Sequence, residues 1–273
     1  MAETSRLIQA HFDSVAVNAV VEYRVLTPPR WAPGEPLPLV LHLHGAMSSS
    51  ASLEHAQPLY EEAWGHGELP RAIVVCPSTP TLGGFYIDRP GALWESLVAD
   101  ALPQQLGREY GPFTSTALIG ASMGGYGVLK IAFRDPARYL AVAAISPAVF
   151  PGEAIDKVPD RNIPAVLGDL HRAMGADSND PGAYGFNSVY GRARAHRAQI
   201  LLAQLPILID CGAEDEFLLH EGAEFLRGVL SDLGVPHEYR LVAGAGHMGE
   251  SAERRTRGAI RFLGSALRER PTP

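Results

Sequence analysis

At 273 residues the chain can bury a large core, and its formal net charge of −7 argues against a nucleic-acid surface; the basic residues form no run beyond the short groups at Arg192 to Arg197 and Arg254 to Arg257. With 46% hydrophobic and 19% charged residues it has the composition of a globular protein, and no segment approaches the roughly 20 apolar residues of a membrane span. The opening MAETSRLIQAHF lacks a basic stretch followed by an apolar one, so no secretory signal is expected, and Cys76 and Cys211 read as free buried thiols of a cytoplasmic protein.

Short β-rich runs alternate with longer helical patterns, which predicts one α/β domain over 1–273, with a mostly parallel central sheet and helices on both faces. Val15 to Leu26 reads as opening strand material, followed by a loop at Trp31-Ala-Pro-Gly-Glu-Pro. Strand Leu37 to Leu43 leads to helix Ser52 to Ala63, and strand Ala72 to Cys76 to a helix over Leu93 to Tyr110 that Pro103 should kink or restart. Strand Thr116 to Ile119 precedes helix Gly124 to Arg134, and strand Ala141 to Ile145 follows. The stretch from Ser146 to about Arg192 is rich in Pro, Gly, Asp and Asn; a connection of this length is expected to be an irregular but ordered cap. Strand Pro206 to Cys211, helix Phe217 to Leu233, strand His237 to Val242 and helix Ser251 to Arg268 complete the pattern.

Gly120-Ala-Ser122-Met-Gly124 sits at the junction of a strand and a helix, the context in which Gly-x-Ser-x-Gly holds a serine hydroxyl out on a tight turn at the sheet edge. The helix starting near Met123 directs backbone N–H groups and its positive dipole end at the site where acyl transfer develops negative charge. A serine nucleophile needs a base, and the base needs an acid that fixes its tautomer; on open α/β folds these arrive in the order Ser, Asp or Glu, His. His247, between glycines just after the last strand, is the candidate base in preference to His42, His220 and His237. Asp215, in Asp210-Cys-Gly-Ala-Glu-Asp215, is the candidate acid. Asp210 is expected to belong to the strand still, Glu214 is the nearest competitor, and a helix N-cap is the bland role for Asp215. Leu41-His-Leu-His44-Gly45-Ala46 ends an earlier strand, so the Ala46 and Met123 amides are the candidate oxyanion donors.

With those residues placed, the chain resembles the esterase family of α/β-hydrolases that includes esterase D or S-formylglutathione hydrolases, feruloyl esterases and mycolyltransferases. Three segments carry the resemblance: Gly-Ala-Ser122-Met-Gly-Gly-Tyr-Gly, Leu-Ile-Asp-Cys-Gly-Ala-Glu-Asp215-Glu-Phe-Leu and Ala-Leu-Trp94-Glu95-Ser-Leu-Val-Ala-Asp-Ala-Leu-Pro103. The resemblance implies the α/β-hydrolase fold from about Val15 to Leu267, a Ser122–Asp215–His247 triad and oxyanion donors at Ala46 and Met123. The formylglutathione hydrolases usually carry a bulkier, cysteine-containing segment after the first oxyanion glycine and Ser-Tyr after the histidine. Here Ala46-Met47-Ser48 and Met248-Gly249 stand instead, which points away from glutathione thioesters.

The expected activity is hydrolysis of carboxylic esters or thioesters through an acyl-enzyme on Ser122. An acyltransferase with the same triad and a non-catalytic binding protein are the alternatives. Phe85 and Tyr86, with His44 and Trp94, are the candidate substrate contacts, Phe85 and Tyr86 being equally readable as a loop pinned to the core. His44 is also suited to hydrogen-bond and shape its loop. A metal role for His42 and His44 is rejected, because no carboxylate or cysteine cluster lies near them in sequence. No cofactor, nucleic-acid or membrane partner is expected, the partner is a small-molecule ester, and a homo-oligomer is compatible with the chain.

Overall fold

The computed structural model describes residues 4–175 and 182–269. Eight strands form one sheet in the order β1-β2-β4-β3-β7-β8-β9-β10: β1 (Arg6–Ser14), β2 (Ala19–Thr27), β3 (Leu37–Leu43), β4 (Ile73–Pro77), β7 (Phe113–Ala121), β8 (Val142–Ile145), β9 (Ile207–Gly212) and β10 (Glu238–Val242). The remaining two, β5 (Asp88–Arg89) and β6 (Ala92–Leu93), form a separate small ladder. β2 runs antiparallel to β1 and β4, and every pairing from β4 to β10 is parallel. The mostly parallel α/β-hydrolase sheet expected from the sequence is the one observed.

Alternation along the central strands builds a core on each face. Leu39, Leu41 and Leu118 point into one cluster, under α4 (Met123–Arg134) and α9 (Leu219–Asp232); Val40, Ala117 and Ile119 point into the other, under α1 (Ser52–Gly65) and α10 (Glu250–Glu269). Strands buried on both faces explain the near-continuous apolar runs read from the sequence.

Three expectations differ from the structure. Val15 to Leu26 is not one strand: β1 and β2 form a hairpin whose turn contains Val15, 98% exposed, and Asn18 at φ +48°, so an apolar turn concealed the break. The helix over 93–110 is assembled from α2 (Trp94–Ser96), a π turn over Leu97–Ala101 and α3 (Leu102–Glu109). Pro103 then falls in the first turn of α3, where its missing N–H costs little. The stretch from Ser146 is largely helical, not irregular: α5 (Val166–Gly175), α6 (Ala183–Asn187) and α7 (Val189–Ala195) follow two short 3₁₀ turns, and α8 (Arg197–Ala203) leads into β9. These helices are short and bury Leu167, Leu170, Tyr184 and Tyr190, so packing rather than local propensity holds them. The part of the expected cap at 176–181 lies outside the described residues.

Candidate active site

β7 delivers Ser122 to the carboxyl edge of the sheet and α4 departs from it. Ser122 has φ +55° and ψ −119°, a conformation an L-residue adopts only when its surroundings enforce it. Three hydrogen bonds do so: Ser122 N–H donates to Ile145 O (2.9 Å), and Ser122 O accepts from Tyr126 N–H (3.0 Å) and Ala148 N–H (2.9 Å). The flanking glycines permit the close approach. A Cβ on Gly120 would lie 2.4 Å from Gly124 O, and one on Gly124 2.0 Å from Leu43 O.

His247 Nδ1–H donates to Asp215 Oδ2 at 2.7 Å, leaving Nε2 as the unprotonated nitrogen, the tautomer a general base requires. Asp215 is buried, and burial alone would raise its pKa; the hydrogen bond and charge of His247, the Phe217 N–H (3.0 Å to Oδ1) and the Ser146 hydroxyl outweigh it and hold the carboxyl below its ordinary value. Asp215 is no N-cap, since α9 begins at Leu219 with Leu218 before it. Asp210 lies inside β9 and pairs with Arg255, and Glu214 is exposed. The rival histidines are engaged elsewhere: His42 bonds Tyr60 (2.9 Å) and His237 bonds Val235 O (2.9 Å), while His220 lies in α9.

Ser122 and His247 line one cavity of about 460 Å³, to which Ala46 and Met123 also contribute. Among the described residues no hydrogen bond joins Ser122 to His247; such contacts are often long until a substrate closes the site. Neither the Ala46 nor the Met123 amide donates to another described group, so both remain available to an oxyanion. Phe85 lines the cavity. His44, Tyr86 and Trp94 do not, which corrects their expected role as substrate contacts. His44 is buried, donates from Nδ1 to Gly45 O (2.8 Å) and accepts at Nε2 from Thr79 N–H (2.9 Å). Burial lowers its pKa, and with both nitrogens engaged the ring is a neutral brace for the loop. Tyr86 and Trp94 are drawn into the core, where they bury aromatic surface, Tyr86 against the His44 ring.

The family described as "Putative esterase" matches residues 14–247. The chain belongs to this esterase family. It is therefore a hydrolase of the carboxylesterase type. An S-formylglutathione hydrolase of Bos taurus is similar, at 26% identity over 230 residues covering 76% of this chain and 74% of that one. Among solved structures, a ferulic acid esterase superposes with a TM-score of 0.77 at 22% identity, covering 97% of this chain and 99% of that one. An S-formylglutathione hydrolase from Agrobacterium tumefaciens superposes with a TM-score of 0.75 at 20% identity, covering 100% and 98%. Both structural likenesses show the fold.

The esterase site also rests on residues that the sequence pattern did not single out. Arg255, on α10 and almost wholly buried, donates to Ser146 Oγ (2.8 Å), Asp210 Oδ1 (3.4 Å), Gly246 O (2.7 Å) and His247 O (3.3 Å), so one guanidinium ties the histidine loop to the ends of β8 and β9. Glu216 Oε2 accepts from the His247 N–H (2.7 Å), and the Phe217 ring meets the imidazole edge to face at 4.9 Å. The only available signal was that Glu216 and Phe217 adjoin Asp215; nothing in the sequence marks Arg255, because its partners are up to 109 residues away. Among the described residues no group of three or more His, Cys, Asp or Glu is placed to hold a metal ion, and no helix is long and apolar enough to cross a membrane.

Proposed function

We propose that the esterase cleaves carboxylic esters joining uncharged, largely apolar groups, with Ser122 as nucleophile, His247 as general base and acid, Asp215 as its orienting partner, and the Ala46 and Met123 amides as oxyanion donors. The observation that carries this reading is a strained serine and an Asp-paired histidine in one cavity whose lining, among the described residues, holds no charged side chain other than a protonatable His247. Ser122 Oγ attacks the carbonyl carbon while His247 Nε2 takes its proton; the tetrahedral oxyanion draws on the two amides. His247 then returns the proton to the departing alcohol, and water deacylates Ser122 by the same route.

The relatives named S-formylglutathione hydrolases suggest a thioester as the second reading. A glutathione thioester carries two carboxylates and an ammonium group, and among the described residues no Arg or Lys lines this cavity to receive them. The cavity's walls from the cap, Val166, Leu167 and Leu170, favour an apolar acyl chain instead. Two free, buried thiols fit a reducing compartment, and the cytoplasm is the location we assign.

The test is hydrolysis of p-nitrophenyl esters from acetate to decanoate, with S-formylglutathione alongside, by the wild type and Ser122→Ala. The wild type is expected to prefer an acyl chain longer than acetyl, and the variant to lose about 10⁴-fold or more in kcat. Equal activity in the two proteins would remove Ser122 from the mechanism, and a preference for S-formylglutathione over every ester would overturn the substrate class.

A further inference from the structure

An oxyanion hole made of main-chain amides is only as accurate as whatever fixes those peptides. Met123 N–H opens α4 and is fixed by the helix. Ala46 N–H lies in a turn outside any regular element and belongs to the same planar peptide group as Gly45 O, so whatever holds the Gly45 carbonyl also aims the Ala46 amide. His44 Nδ1 holds that carbonyl, and Tyr86 Oη–H in turn donates to His44 O at 3.1 Å.

Tyr86 is itself in an unusual position. Phe85 and Tyr86 have φ +49° and +54°, two successive non-glycine residues in the left-handed region, both buried. Two residues of α4 seat this segment. Lys130 Nζ donates to Tyr86 O (3.0 Å), and Gly127 leaves room for the phenol ring, since a Cβ there would lie 2.7 Å from it. The ammonium is wholly buried and is compensated by Glu95 (2.9 Å), which also receives Arg192 (3.2 Å). Met123, Gly127 and Lys130 follow one another at helical spacing of four and three, so they share one face of α4.

We infer that α4 sets the separation of the two oxyanion amides, carrying one at its first residue and positioning the other through a strut of Lys130, Tyr86 and His44, with Glu95 as the buried counter-charge that keeps Lys130 in place. Tyr86, Lys130 and Glu95 are thus positioning residues, remote from substrate. This rests on the proposed role of Ser122 and the Ala46 amide. It also gives a function to an ion pair whose burial costs desolvation free energy.

The experiment compares wild type, Tyr86→Phe and the double variant Glu95→Gln/Lys130→Met, which removes the ion pair and leaves the buried Arg192 guanidinium an amide oxygen in place of the carboxylate. kcat and KM are measured on p-nitrophenyl butyrate, together with the affinity of an alkylboronic acid, whose tetrahedral adduct uses the oxyanion hole. Removing an oxyanion donor outright costs about 10²–10³ in kcat, so its displacement in Tyr86→Phe is expected to lower kcat about tenfold. KM should stay within twofold, and boronate affinity should fall by the same factor as kcat. The double variant should show the same split; if it does not fold, Tyr86→Phe, which deletes one hydroxyl, decides alone. A Tyr86→Phe enzyme within twofold of wild type in kcat and boronate affinity overturns the inference, as does a loss confined to KM. If that happens while wild type is active and Ser122→Ala is silent, the proposed catalytic role stands and only the strut fails; a wild type inactive on every ester removes both.

Discussion

Arg255→Met replaces the guanidinium that braces the histidine loop by a side chain of similar length and no charge. The cost comes chiefly from Asp210, 2% exposed in β9, which keeps its carboxylate but loses the cation 3.4 Å away. Breaking a buried pair from one side costs about 3–5 kcal/mol, and that figure already includes much of what the bonds to Ser146 Oγ and Gly246 O supply, so a loss of about 4 kcal/mol at pH 7 is expected. The pH dependence provides the sharper check. Burial already raises the Asp210 pKa in spite of Arg255, and losing Arg255 raises it further. A carboxyl whose folded pKa lies above its unfolded one makes the native state bind more protons, so stability falls as pH rises through the interval between the two values. Urea unfolding of wild type and Arg255→Met at pH 5 and pH 7 should therefore show a deficit that is smaller at pH 5. Adding Asp210→Asn should recover a large part of the pH 7 loss. A variant within 1 kcal/mol of wild type, or a deficit equal at both pH values, would refute the account of Asp210 as a charge dependent on Arg255.

Two further substitutions probe the site's shape. Val166→Phe adds volume to the cavity wall contributed by α5, and should reduce kcat/KM for p-nitrophenyl octanoate by about tenfold or more while acetate stays within threefold, since a methylene or two of mismatch is worth about 1–3 kcal/mol; parallel losses on both esters would mean that Val166 does not face the acyl chain. Gly124→Ala places a Cβ 2.0 Å from Leu43 O and 2.8 Å from His44 O, both main chain, so relief requires moving β3 or α4 and should cost about 3 kcal/mol in urea unfolding, with loss of activity; a variant as stable and active as wild type would show that the elbow is less tightly packed than these distances require.

What was legible in the sequence follows the range of the interaction concerned. The turn at Ser122 is a local matter of five residues and glycine geometry, and Asp215 and His247 could be ordered behind it because each follows a strand whose apolar run is plain. The N-terminal hairpin was half missed because Val15-Ala-Val17 has the composition of a strand and the conformation of a turn. The cap read as irregular because its helices are short and interrupted by Pro and Gly, and their order comes from burying side chains such as Leu170 and Tyr190 against the rest of the fold. Arg255 and the Glu95–Lys130–Arg192 cluster are invisible in the sequence, since each joins residues from distant parts of the chain and carries no signature in its own neighbourhood; Arg192 in particular belongs to a short basic group and is nonetheless 4% exposed. His44 was correctly expected to shape its loop and wrongly expected at the substrate, because sequence locates a residue at a strand end without giving the direction of its ring.

These hidden charges share a placement. Asp215, Arg255, Glu95, Lys130 and Arg192 are all buried, yet none of them lines the cavity, whose described lining residues carry no Asp, Glu, Arg or Lys. Coulombic and hydrogen-bonding interactions strengthen as the local dielectric falls, which means that a charge appearing inside this cavity meets little competition from water or neighbouring ions. In the proposed mechanism the charge that appears there is the oxyanion, and its partners are the two amides and the imidazolium formed when His247 takes the serine proton. An added fixed cation in the wall would also bind anionic groups in the ground state, and so would admit charged substrates and retain carboxylate products. Keeping these charges out of the lining lets them orient loops and, in the proposed mechanism, leaves the stabilisation of the transition state to main-chain dipoles and the choice of substrate to the shape of the pocket.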